Sequence, residues 1–293
     1  SEALGANTTG ASNTAVGANA LDANTTGANN VAIGLHALGG NTTASSNTAI
    51  GYEALKVNTT GDESVAIGAY CGDANTTGSD NVAIGVYTFS SNTTGSNNTA
   101  VGRGALGNNS TASDNSAFGK SALEANSTGT YNTAVGALAL DANTTANHNT
   151  AMGYSALTTN TTGANNVALG SHALNDATTG SANVAIGYWA FGDGTLTYGD
   201  NVAVGSHAGF NHIAQEAVFV GKHAGYNNTT GNQNTFIGYD AGKTNTTGGV
   251  NVALGAYALD ANTTASNNTA VGGGALGVNE TGASNTACGK GAG

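Results

Sequence analysis

A chain of 293 residues with 46 glycines, no proline and only 8% charged side chains is too poor in large apolar groups to fill a broad globular core. Its formal net charge of −11, set against six scattered cations (Lys56, Arg103, Lys120, Lys222, Lys243 and Lys290), excludes the clustered basic surface that nucleic acid demands. No apolar run reaches the roughly 18 residues of a spanning helix, so no membrane insertion is expected, and the regular return of Val, Ile and Leu argues against disorder.

The predicted elements recur along the chain. Asn13-Thr14-Ala15-Val16-Gly17 returns as Asn30-Val31-Ala32-Ile33-Gly34 and again as Asn47-Thr48-Ala49-Ile50-Gly51. Copies begin at residues 13, 30, 47, 64, 81, 98, 115, 132, 149, 166, 183, 201, 217, 234, 251, 268 and 285. The step is 17 residues, save one of 18 followed by one of 16, which together restore the register. With Asn13 as position 1, the motif is N-[TV]-A-[VI]-G-x-x-A-L-x-x-N-T-T-G-x-x.

Each copy predicts the same succession of elements. Alternation at positions 2 to 4, built from β-forming Thr, Val and Ile, predicts a short strand. The apolar residue at position 4 is expected to help fill the core, and the Ala at position 3 to face outward. There it either lets a neighbouring sheet approach or merely fits a crowded coil. Position 5 is Gly in all seventeen copies, the mark of a corner that needs positive φ or close backbone approach. Positions 6 to 9, as in Tyr52-Glu53-Ala54-Leu55, predict a second short strand with Leu inward. Asn-Thr-Thr-Gly is turn chemistry. Such a coil cannot bury its Val and Leu alone and must stack on its neighbours. Position 1, Asn in fifteen of seventeen copies, then becomes a column able to form an amide ladder. The fold class is an all-β, single-chain parallel β-solenoid (a β-roll) of about 17 coils with 17 residues per coil, one domain over 1–293 with an irregular coil around 192–216.

At these residues the chain resembles a family. Ser64-Val65-Ala66-Ile67-Gly68 and Asn81-Val82-Ala83-Ile84-Gly85 look like the repeats of trimeric autotransporter adhesin heads, and N-T-T-G-x-x-N-T-A-[VI]-G is similar to repeat regions of phage tail fibres. The resemblance implies a parallel β-roll displayed outside the cell and used for attachment. The repeat is longer here than in adhesin heads, and no coiled-coil stalk is legible.

The first twelve residues cover positions 6 to 17 and the last nine cover positions 1 to 9, so the ends together make one coil and neither shows a polar cap. Head-to-tail stacking of copies is one expectation; a fragment of a longer repeat array is the other. Cys71 stands at an Ala position and Cys288 at a Val or Ile position, so both read as small buried hydrophobes, too far apart along the stack for a disulfide.

Several residue sets could carry chemistry. Position 12 opens a glycosylation sequon at Asn7, Asn24, Asn41, Asn58, Asn75, Asn92, Asn109, Asn126, Asn143, Asn160, Asn228, Asn245, Asn262 and Asn279, with further sequons at Asn97, Asn108, Asn227 and Asn267. These either carry glycans or serve as turn and ladder chemistry. Position 7 gathers a stripe of His172, Trp189, His207 and His223, with Tyr188 beside it, next to the irregular coil. It is a candidate recognition patch for a receptor or glycan, or else a set of variable outward residues. No carboxylate recurs as in calcium-binding rolls, so no cofactor is expected, though an isolated calcium ion stays open. The paired Thr residues sit adjacent in a turn and diverge, which ranks ice binding low. No nucleophile–base pairing or phosphate loop is present, so no enzyme is expected.

The sequence therefore predicts a structural subunit of an extracellular or surface fibre, on a cell or a virion. Its expected partner is itself, head to tail and side by side, with a host-surface glycan or receptor as a further partner. A receptor-binding adhesin or phage tail-fibre shaft is the alternative, and an ice-binding protein the third reading.

Overall fold

The computed structural model describes residues 2–293, which form a parallel β-solenoid of about seventeen coils and no helix. The chain falls into two compact units, the first ending at His148 and the second covering Asn149–Gly293. The first holds eight strands, from β1 (Thr14–Val16) to β8 (Thr133–Val135). The second holds nine, from β9 (Thr150–Met152) to β17 (Thr286–Cys288). Within each unit a strand pairs in parallel with the same three residues of the next coil, as in Ala15 opposite Ala32 and Ala32 opposite Ala49. The 18- and 16-residue steps leave this register intact: Ala185 lies opposite Ala203, and Ala203 opposite Phe219.

Backbone conformation fixes where each coil turns. Position 5 adopts φ between 126° and 142°, a region only Gly enters freely. A Cβ at Gly68 would also lie 2.3 Å from the Gly85 carbonyl oxygen of the next coil. The second strand expected over positions 6 to 9 does not form. Positions 7 and 9 are left-handed (His36 φ 60°, Leu38 φ 50°), which breaks the extended run into two turns. One is closed by Ala20 N–H donating to Gly17 O at 3.3 Å, the next by Asn24 N–H donating to Leu21 O at 3.3 Å. Leu at position 9 nevertheless points inward, as predicted.

The strand faces the other way from the expectation. Ala at position 3 is buried, and the Val, Ile or Met at position 4 is turned to solvent: Val16 is 56% exposed, Met152 45% and Ile33 38%. A three-residue strand has one inward side chain. The cross-section is already occupied by Ala at position 8, Leu at position 9 and two Asn side chains, so only a small residue fits there. The exceptions support this reason. In the coils beginning at Ala217 and Asn234, position 3 is Phe219 or Phe236 and position 9 is Gly225 or Gly242. A Cβ on Gly225 would meet the Phe219 ring at 2.6 Å, and one on Gly242 the Phe236 ring at 2.5 Å. Volume moves from one side of the coil to the other and the core stays filled.

Backbone polar groups between turns are satisfied by the neighbouring coil, and side-chain amides complete the set. The position-1 ladder forms: Asn13 Oδ1 accepts from Asn30 N–H at 2.9 Å, and Asn30 Oδ1 from Asn47 N–H at 2.9 Å. Position 12 makes a second, side chain to side chain: Asn41 Nδ2 donates to Asn24 Oδ1 at 2.8 Å. Both columns converge on the position-15 carbonyl, where Asn13 Nδ2 and Asn24 Nδ2 donate to Gly27 O at 2.8 and 3.0 Å. Both cysteines are free. Cys71 is buried, and burial pushes its thiol up to about 12. Cys288 is exposed rather than buried, because position 4 faces out.

Candidate functional site

Two surfaces stand out. The first is the strand face. Positions 2 and 4 lie on the outer side of every strand, and in both units they are filled by Thr, Val, Ile, Leu, Ser, Met, Phe or Cys, with no charged residue among them. In the first unit the outward pairs run from Thr14 and Val16 to Thr133 and Val135; in the second, from Thr150 and Met152 to Thr286 and Cys288. Neighbouring coils repeat at about 4.8 Å, and the two columns are about 7 Å apart along the strand. The face is narrow, regular and β-branched.

The second surface belongs to the second unit alone and contains the predicted patch. His172 stacks on Trp189 with centroids 4.4 Å apart and planes 5° from parallel. Tyr188 stands edge-on to both Trp189 (6.2 Å) and His207 (5.3 Å). His207 and His223 lie 5.7 Å apart. All five residues singled out at position 7 and beside it are thus brought together. Sequence reasoning missed the rings that extend them: Tyr154 against His172 at 5.3 Å, Phe210 stacked on Tyr226 at 5.0 Å, and Tyr239 against Tyr257 at 5.3 Å. Phe210 and Tyr226 sit at position 10 of consecutive coils, a column that carries Gly, Asp or other polar residues elsewhere and gave no periodic signal.

Short polar links hold the imidazoles. Ser171 Oγ lies 2.9 Å from His172 Nδ1, and Ser206 Oγ 2.9 Å from His207 Nδ1. His223 Nδ1 is 3.0 Å from Asp240 Oδ1, and Lys243 Nζ donates to Asp240 Oδ2 at 2.9 Å. Partial burial, with the His223 and Lys222 charges adding to it, holds His207 below the ordinary histidine range. Among the described residues no three His, Cys, Asp or Glu side chains come together to hold a metal ion.

The sequons are placed mostly inside. Asn24, Asn41, Asn58, Asn75, Asn92, Asn109, Asn126, Asn143, Asn160, Asn228, Asn245 and Asn262 are buried to 1% exposure or less. Asn92 is representative: its Nδ2 donates to Asn75 Oδ1 at 2.7 Å and to Gly95 O at 3.0 Å, using both hydrogens. A transferase would have to unravel the coil to reach that nitrogen. Asn7 is exposed, Asn279 half-buried, and of the remaining sequons Asn97, Asn108 and Asn267 are exposed. The two threonines diverge as expected. The first donates its hydroxyl to the next coil, as Thr25 to Thr42 O at 2.9 Å, and the second, such as Thr26, is exposed.

The irregular coil replaces part of the position-12 ladder with a buried imidazole. Asn228 Nδ2 donates to His212 Nδ1 at 2.7 Å, and His212 Nε2 faces Asn201 Oδ1 at 3.2 Å. Beside it a cleft of about 430 Å³ is lined by Tyr198, Ile213, Ala214, Gln215, Thr230 and Asn232. No family model matches the chain, and no curated protein matches it.

Proposed function

We propose that the chain is a structural element of an extracellular fibre that packs side by side with copies of itself through the strand face. The observation that carries this reading is the column pair at positions 2 and 4, outward and uncharged in every coil of both units. A monomer gains nothing by lining water with Val16, Ile33, Ile67, Ile84 and Met152 when a polar residue would suit the same strand. The neighbouring position-6 column mixes exposed Leu35, Tyr52, Val86 and Tyr154 with Arg103, Lys120, Lys222 and Lys290, so the strand face is the one that stays uncharged in every coil. A strip three residues wide and eight or nine coils long measures on the order of 400 Å². Engaging the strips of both units would bury about 800 Å² per chain, the size of a standard stable interface. The likeness of the strand motif to adhesin-head repeats agrees with display outside the cell.

Sedimentation equilibrium tests the reading. The chain at micromolar concentration is expected to run at a whole multiple of 28.3 kDa, and Ile84→Asp with Leu169→Asp is expected to return it to a monomer. A wild-type monomer at all concentrations overturns it; if that monomer also shows thermal hysteresis in dilute solution, the face binds ice instead.

A further inference from the structure

From the aromatic stripe of the second unit we infer that this protein binds a neutral linear polysaccharide, laid along the stacking direction over the rings of positions 6, 7 and 10. The rings form an unbroken chain of neighbours. Tyr154 touches His172 at 5.3 Å, His172 touches Trp189 at 4.4 Å, and Trp189 touches Phe210 at 5.8 Å. From Phe210 the contacts continue to Tyr226 at 5.0 Å, and His223 links Tyr226 (5.4 Å) to Tyr239 (6.4 Å). The stripe ends at Tyr257, 5.3 Å beyond Tyr239. At one coil per 4.8 Å it extends about 29 Å.

Stacking leaves His172, Trp189, Phe210, His223 and Tyr226 half-buried and the tyrosines of positions 6 and 7 exposed. Tyr154 and Tyr188 remain 52% exposed, Tyr257 48% and Tyr239 43%. Core packing does not account for the exposed tyrosines, and among the described residues the longest run in the first unit is Tyr52, Tyr70 and Tyr87.

The chemistry of the stripe selects the ligand. Aromatic faces that stay in water take up flat, weakly apolar surfaces, and the C–H face of a pyranose ring is one. Phenol hydroxyls and imidazole nitrogens at the ring edges supply the donors and acceptors that sugar hydroxyls need. Two carboxylates stand along the stripe: Asp240 is engaged by His223 and Lys243, and Asp260 fills position 10 of its last coil. The chain carries a net charge of −11, and the stripe holds only two cations, Lys243 paired with Asp240 and the exposed Lys222, which is no cluster for an anionic polymer. At least one ring in every coil, in a band over positions 6, 7 and 10 that follows the stacking direction, suits a linear chain rather than a compact head group.

Trp189, the only tryptophan, lies inside the stripe and reports on it directly. The test titrates the whole chain with soluble hydroxyethylcellulose, laminarin and xylan, and with alginate as the anionic comparison, following Trp189 emission and mobility in native gels that contain each polymer. At least one polymer is expected to retard the protein and shift the emission. Tyr188→Ala combined with Tyr239→Ala is expected to weaken binding about tenfold or more. Both side chains are exposed, so the fold survives their loss. Tyr52→Ala in the first unit is expected to bind as wild type. No retardation by any neutral polymer, equal binding by the double variant, or retardation by alginate alone would overturn the inference. Because sedimentation is read in sugar-free buffer, the result is separable from self-association.

Discussion

Replacing His212 by Asn is expected to abolish an acid sensitivity localised to the irregular coil. The His212 ring is wholly buried, lies 5.7 Å from Phe191 and 5.1 Å from Phe219, and burial pushes its pKa from 6.5 down to about 3. Asn228 donates to Nδ1, so the proton sits on Nε2 and is donated to Asn201 Oδ1. A second proton would meet a donor instead of an acceptor. The folded pKa therefore lies below the unfolded one. The stability this neutral ring confers is fully present above pH 6.5 and is lost as pH falls toward 3, where the opened coil binds a proton that the closed coil refuses. Between pH 7 and pH 5 the loss amounts to about 2 kcal/mol, and over the whole interval to roughly 4–5 kcal/mol. Hydrogen exchange of the His212 and Ile213 amides, which donate to Gly209 O and Thr229 O, reads this opening once intrinsic rates are corrected. His207 and His223 remain in the variant, so the difference between the two proteins isolates His212. Equal pH dependence in both, or none in the wild type, would refute the reasoning.

Three further outcomes follow from packing and backbone. Phe219→Ala is expected to destabilise its coil by about 3–4 kcal/mol, and adding Gly225→Leu to recover most of that in urea melts, since Leu holds this left-handed φ at Leu21 and Leu38. Val250, a β-branched residue at φ 60°, is strained; Val250→Asn is expected to raise local stability by about 1 kcal/mol in hydrogen exchange. Asn92→Ala removes both donations of its Nδ2 and the acceptor used by Asn109; a loss of about 3 kcal/mol in thermal or urea unfolding is expected.

The period, the parallel register and the glycine corner were legible because each is a property of a column: one requirement repeated in every copy. The amide ladder at position 1 was legible for the same reason. The direction of the strand was not. Thr-Ala-Val alternates whether its outer residues face in or out, and the choice depends on the interior cross-section, which is set by Ala20, Leu21, Asn24 and Asn30 from other parts of the coil. The turns at positions 6 to 9 were hidden because their left-handed positions hold His36, Glu53, Leu38 and Leu55 rather than Gly. The aromatic stripe was half visible. Position 7 showed it as a column, whereas Phe210 and Tyr226 join it only through the fold. The sequons looked accessible as Asn-Thr-Thr, but burial of their amides follows from a second ladder that only stacking creates.

The orientation of the strand is tested most directly by changing three outward residues together, Ile67→Thr, Ile84→Thr and Val101→Thr, and measuring amide hydrogen exchange across the coils that carry them. The account predicts that protection at Val82 and Thr99, which donate to Asn98 O and Asn115 O, stays at the wild-type level. Loss of that protection would mean that these side chains fill the interior, and it would contradict the outward face on which the proposed assembly rests.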